Sequence, residues 1–155
     1  MSNAEVAPPS SQPAHRSRRR RSRELALQVL YQWLLSGNGA DALCRQAAEQ
    51  KEYTRADAQY FELLTHGVIA HAAELHGALE AFVDRPVRQL SPIEHAALLL
   101  AAYELMHVPD VPYRVVINEA VELTRIYGGT DGHKYVNGVL DKLAAQVRPA
   151  ETTKS

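Results

Sequence analysis

Residues 16–35, RSRRRRSRELALQVLYQWLL, join a dense basic run directly to an apolar helical stripe. Six of the eight residues from 16 to 23 are arginine. Leu25, Val29 and Trp33 then recur at four-residue steps, with Leu30 and Leu34 beside them, so one face of a helix is buried. No other stretch constrains the chain as strongly. A charge cluster fixed to the edge of a core cannot stray far from it, and the remaining residues read as the body that carries this arm.

The formal net charge of −1 conceals a split. Residues 1–23 hold six arginines and one glutamate, +5, whereas residues 24–155 hold eleven basic and seventeen acidic residues, −6. A basic arm on an acidic body suits an anionic polymer at the arm and a basic partner on the body. The bland alternative is a solvated tail with no client. Hydrophobic residues make up 46% of the 155, enough for one domain with a real core. The single cysteine, Cys44, excludes an intramolecular disulfide and a thiolate metal cluster, and fits a reducing cytoplasm. A basic run before LALQVLYQWLL is similar to an export signal, but Glu24, Gln28, Gln32 and Trp33 interrupt it and no clean cleavage site follows. No apolar run approaches the roughly 20 residues that span a bilayer, so no membrane partner is expected.

Residues 1–15 are rich in Pro, Ser and Ala without periodicity, and a disordered tail is expected over 1–17. The first helix runs to about Ser36, where Gly37-Asn38-Gly39 stops it. A weakly patterned segment with Ala42, Leu43, Ala47 and Ala48 is expected to form a second. Thr54 and Asp57 read as a variant capping box for a third, with Tyr60, Phe61, Leu64 and Val68 facing inward. Leu75, Leu79, Phe82 and Val83 mark a fourth. Ser91-Pro92 with Glu94 is the best start signal, opening a helix through Leu98, Leu99, Ala102 and Leu105 to Pro109. A sixth begins near Pro112, carries Val116, Ala120, Leu123 and Tyr127 inward, and ends at Gly128-Gly129. The last runs from about Asp131 to Val147. The expected fold is all-α, about seven helices over 18–149 packed as a bundle or paired small bundles, with a short tail at 150–155.

Catalytic and metal-binding spacings are weak. Glu104 and His107 form one Glu-x-x-His, but a di-iron bundle needs a second pair and more inward carboxylates. His66, His71 and His76 lie five apart, roughly 140° of helical rotation, so they cannot share one metal. There is no G-x-S-x-G elbow, and nothing near Cys44 activates it. GGTDGHK, residues 128–134, lacks the spacing of a phosphate loop, although a helix start bearing His133 and Lys134 could hold a backbone phosphate. Nucleic acid remains. Guanidinium forks suit phosphate oxygens and stack on unpaired bases. Tyr31, two turns beyond Arg23, and Tyr135, near the start of the last helix, offer stacking planes for a single strand. Double-stranded DNA is disfavoured, because no helix-turn-helix carries basic residues on its second helix.

The blocks RSRELALQVLYQW, LSPIEHAALLLAAYEL (90–105), DVPYRVVINEAVELTRIYG (110–128) and HKYVNGVLDKL (133–143) resemble the NusB family of bacterial transcription antitermination factors over residues 18–149. That resemblance implies two small helical bundles packed across each other and no enzymatic activity or cofactor. It implies binding of boxA, a single-stranded element of ribosomal RNA transcripts, as a heterodimer with the ribosomal protein NusE within an RNA polymerase antitermination complex. A homodimer that hides the RNA face is an open alternative. By matching positions, the RNA surface would comprise Arg18, Arg19, Arg20, Arg21, Arg23, Tyr31, Asp131, Lys134 and Tyr135, with no metal. Glu94, Tyr113 and Arg114 would face NusE, Glu94 also serving as a capping residue. Asn118 and Asn137 would be buried groups that hold helices together. Gly132 stands where the family often has a small polar residue. A related domain fronts some RNA cytosine methyltransferases, but these residues include no methyl-donor domain.

Overall fold

The computed structural model describes residues 13–129 and 131–153, and these are entirely helices and connections. In order they form α1 (Pro13–Ser36), α2 (Ala40–Ala48), α3 (Ala58–Ala70), α4 (Ala72–Glu80), α5 (Pro92–His107), α6 (Tyr113–Tyr127), α7 (Gly132–Val147) and α8 (Pro149–Thr152). Short 3-10 turns lie at Lys51–Arg55 and Val87–Gln89.

The run HAALLLAAYEL is apolar on every side, so its helix belongs inside. Every residue of α5 from His95 to Leu105 is buried. Helices α1, α3, α4, α6 and α7 pack around it. Helices α1, α2 and α3 pack on one another and α6 packs on α7, giving the expected two bundles with α5 common to both.

Local chemistry explains most boundaries. The Ser91 hydroxyl accepts the Glu94 N–H at 3.2 Å, and Pro92 fills the first position of α5. Gly37, at φ +74°, closes α1 by donating its N–H to Trp33 O at 2.9 Å. The start of α3 differs from expectation. Asp57 alone is the cap, its Oδ1 accepting the Tyr60 N–H at 3.1 Å. Thr54 belongs to the preceding 3-10 turn, where its hydroxyl donates to Lys51 O at 2.9 Å.

Helical structure reaches past the expected limits of 18–149 at both ends. Residues 13–17, assigned from sequence to the tail, are the first turn of α1, while residues 1–12 lie outside the described residues. At the other end, Arg148 is buried and donates to three carbonyls at the end of α5: Leu105 O at 2.8 Å, Val108 O at 3.1 Å and Glu104 O at 3.2 Å. A helix terminus leaves such carbonyls short of intrahelical donors; Glu104 O and Val108 O also accept the Val108 and Val111 N–H groups. Arg148 also pairs with Glu151, whose Oε2 accepts the Tyr113 N–H at 3.1 Å and so caps α6. Arg148, inside the expected domain, and Glu151, in the expected tail, thus form a clasp over the end of α5 and the start of α6, while residues 154–155 lie outside the described residues. Asn118 and Asn137 are exposed, not buried as expected; each lies on the solvent side of its helix.

Candidate nucleic-acid interface

A helix turns each residue about 100° from the last, so a continuous arginine run cannot face one way. Arg23 falls on the apolar stripe itself, in line with Leu27 and Leu30, and is only 4% exposed. Its Nε donates to Glu104 Oε1 at 3.0 Å and its Nη2 to Glu104 Oε2 at 2.8 Å. The Tyr60 hydroxyl donates to the same Oε2. Burial opposes the Arg23 charge, but the Glu104 carboxylate outweighs it and keeps the guanidinium protonated. Burial and the same carboxylate push the Tyr60 hydroxyl well above its ordinary value. Arg23, expected among the RNA-facing residues, is thus a core residue: its charge is neutralised by Glu104. The same contact removes Glu104 from any Glu-x-x-His metal site.

The other arginines divide between partner and solvent. Arg19 is half-buried, its Cζ 4.0 Å from the centroid of the Tyr60 ring. Arg20 grips Glu119 through Nε at 3.1 Å and Nη2 at 2.7 Å, yet its side chain is 56% exposed. Hydrogen bonding to Glu119 raises its pKa further. Arg18 is exposed and donates one Nη2 bond to Ala56 O at 2.9 Å. Arg21 reaches Glu24 at 3.4 Å. A guanidinium carries five N–H donors, so Arg18, Arg20 and Arg21 keep donors for an external anion.

This basic end of α1 lies beside α6, in the same direction. Arg16 and Arg19 share with Val111, Pro112 and Val115 the lining of a cavity of about 150 Å³, and Arg20 meets Glu119. Farther on, the hydroxyl of Tyr127 is pushed up by burial and by the charge of Glu24, and it also feels Arg21. Tyr127 is 44% exposed. The 3.6-residue period places it inward, but α6 ends there, past the rim of the core, and the ring faces water. Sequence reasoning missed it as a stacking candidate; an aromatic residue immediately before a double glycine was the available signal. Tyr31 is half-buried on α1.

The start of α7 forms a second surface. Arg85, Ser91, Glu94, Gly129, Asp131, Gly132 and Tyr135 line an open groove of about 460 Å³. The Tyr135 hydroxyl donates to Asp84 Oδ1 at 2.9 Å and accepts the Asp84 N–H at 3.1 Å, which anchors the ring. Burial raises the Tyr135 pKa, and the bond from Tyr135 lowers that of Asp84. Arg85 stands 5.6 Å from the ring centroid. Lys134 and Asp131 pair at 3.7 Å, each 75% exposed. A Cβ on Gly132 would collide with the Glu94 carboxylate, so glycine there admits Glu94 to the first turn of α7. Carboxylates of Glu94 and Asp131 already flank this helix start. It is a poor phosphate cradle, contrary to the role the sequence suggested for His133 and Lys134.

The structure brings Asp131, Tyr135 and Glu94 into one groove, with Lys134 beside Asp131. It does not bring Glu94 to Tyr113 and Arg114. Gly128, at the end of α6, approaches Ile93 at the start of α5, whereas Tyr113 adjoins the clasp at the other end of that helix pair. Arg114 is exposed and donates to the Tyr113 hydroxyl at 3.1 Å.

A model of the NusB family matches residues 20–145. The chain belongs to the NusB family. A transcription antitermination protein NusB from Cupriavidus pinatubonensis is 57% identical over 136 residues, spanning 88% of this chain and 81% of the relative. The NusB of Nitrosomonas eutropha is 49% identical over 160 residues, spanning 100% of this chain and 95% of the relative. Among solved structures, a crystal structure of antitermination factors NusB and NusE in complex with double-stranded RNA superposes with a TM-score of 0.77 at 28% identity, covering 83% of this chain and 96% of that one. None of the helices described is long and apolar enough to cross a membrane.

Proposed function

We propose that this NusB-family chain is a non-catalytic, cytoplasmic RNA-binding factor that joins a NusE-type ribosomal protein on boxA-type single-stranded RNA of ribosomal transcripts. The observation that carries this reading is the pairing of two unlike surfaces. Arg18, Arg20 and Arg21 present guanidinium groups along α1, with the Glu119 and Glu24 carboxylates that meet them mostly buried behind, a face suited to phosphates of any sequence. The groove at the start of α7 mixes Arg85 and Lys134 with Glu94, Asp131 and an anchored Tyr135. Interleaved donors and acceptors beside a ring suit base edges and base faces. Tyr127, which feels Glu24 and Arg21, extends the stacking path, and Tyr31 on α1 is a further ring proposed for it. A structural relative solved with NusE and double-stranded RNA supports the choice of partner and of RNA as the polymer.

The partner face is proposed around Tyr113 and Arg114, where the clasp orders the start of α6. The −6 charge of residues 24–155 favours a basic ribosomal protein. Within an elongating polymerase complex the chain would act as an adaptor, and self-association would compete with it. Titrating boxA-like, scrambled and duplex RNA, with and without NusE, tests the proposal. Single-stranded boxA should bind tightest and gain most from NusE. Equal affinity for the scrambled strand would remove the base-reading role, and NusE binding without any gain in RNA affinity would leave a protein-interaction module.

A further inference from the structure

We infer that His71, Glu74 and His107 form a binding site for a divalent transition-metal ion, Zn²⁺ foremost, where the α3–α4 junction meets the end of α5. Each residue offers one ligand atom, and these atoms all lie within 4.8 Å of one another. His66, His71 and His76 meet different neighbours: His66 reaches Asp41, His76 reaches His95, and His71 lies with Glu74 and His107. The partner of His71 comes instead from 36 positions away, on α5.

The donors are oriented. His71 Nδ1 lies 2.9 Å from Gly67 O, and because a carbonyl only accepts, the proton sits on Nδ1 and the Nε2 lone pair is left for a ligand. Metal-bound histidines make this same second bond. His107 Nε2 lies 2.8 Å from Glu74 Oε1, so a carboxylate and an imidazole nitrogen already converge. The His71 and His107 rings stand 4.4 Å apart. Beneath them, Tyr103 stacks on His107 at 5.1 Å with the ring planes 26° apart. Tyr103 in turn occupies the space above Gly67, where a Cβ would collide with it. Gly67 thus supplies both the carbonyl that orients His71 and the room for the ring that supports His107.

The chemistry selects the ion. Two imidazoles and one carboxylate match Zn²⁺, Co²⁺ or Ni²⁺, whereas Mg²⁺ and Ca²⁺ take oxygen ligands. Zn–N bonds of about 2.0–2.1 Å require the donors to close slightly, and side chains at the surface have that freedom: Glu74 is 48% exposed and His107 29%. Water would complete the coordination. An ion here ties the first turn of α4 to the last residue of α5, which stabilises the folded chain by linkage.

The test is calorimetric titration of chelator-stripped protein with Zn²⁺ and, separately, Mg²⁺, together with thermal unfolding and the visible absorption of Co²⁺. One Zn²⁺ should bind at micromolar concentration, with a rise in Tm, ligand-field absorption when Co²⁺ replaces it, and no response to Mg²⁺. His71→Asn and His107→Gln should each lower Zn²⁺ affinity at least about tenfold while unfolding normally without metal. Cys44→Ser and His66→Asn, at the separate Cys44–Glu62–His66 cluster, should leave it intact. Absence of Zn²⁺ binding, or loss that follows Cys44 and His66 instead, overturns the inference.

Discussion

Along α1, Arg18, Arg20 and Arg21 turn guanidinium groups to solvent while each holds one partner inside the molecule. Around the start of α7, by contrast, Arg85 and Lys134 alternate with Asp84, Glu94 and Asp131. A surface of one sign attracts a polyanion without regard to sequence and weakens with salt. A surface of mixed sign gains little from long-range attraction but can match hydrogen-bonding edges. The two regions therefore differ in what they contribute to binding, one chiefly strength and the other chiefly selection. Arg23 sharpens the contrast within α1. It belongs to the same arginine run, yet its charge is paired with Glu104 and serves the core.

The largest expected effect concerns that buried arginine. Glu104→Ala leaves the buried Arg23 charge with only the longer contact to Glu119 at 3.9 Å and should destabilise the fold by about 3–5 kcal/mol, measured by denaturant unfolding. Replacing Arg23, Glu104 and Tyr60 together by apolar residues of similar size should cost far less. A variant at Arg23 that kept its stability and lost RNA affinity would return Arg23 to the surface. Next come the rings. Tyr135→Ala and Tyr127→Ala should each weaken RNA binding by about 1–3 kcal/mol without altering its salt dependence. Wild-type affinity in either variant would withdraw that ring from the path.

The smallest effect is at the clasp. Although burial opposes its charge, Arg148 and the Tyr113 N–H hold the Glu151 carboxyl below its ordinary value. A depressed folded-state pKa means that its stabilisation is complete above the ordinary carboxylate range and is lost as pH falls through the depressed value. Glu151→Gln should therefore lower stability by about 1 kcal/mol or less at neutral pH, a difference that vanishes in acid. A difference that grew in acid would show that the carboxylate is not the stabilising form.

The helices were legible because their signals are local. Ser91-Pro92, Gly37 and Gly128-Gly129 each act on the residues beside them, and the all-round apolar run of α5 announces its burial. The features that escaped depend on partners far along the chain. Arg23 meets Glu104 across 81 positions, Arg148 meets Leu105 across 43, and Tyr135 meets Asp84 across 51. Periodicity cannot see such pairs. It could place a tyrosine and an arginine on a helix, but not tell which would be claimed by a buried carboxylate. Thr54 and Asp57 show a smaller limit: their spacing reads as one capping box, but Thr54 is taken into the Lys51–Arg55 3-10 turn and Asp57 caps α3 without it.

The division of labour between the two surfaces is most directly tested by the salt dependence of boxA RNA binding in the presence of NusE, comparing the native chain with Arg18→Gln/Arg20→Gln/Arg21→Gln. These substitutions spare Arg19 on Tyr60 and Arg23 in the core. The account predicts a plot of log K against log salt shallower by about one unit for each phosphate the arm no longer neutralises, with the preference for boxA over a scrambled strand retained. An unchanged slope would contradict it.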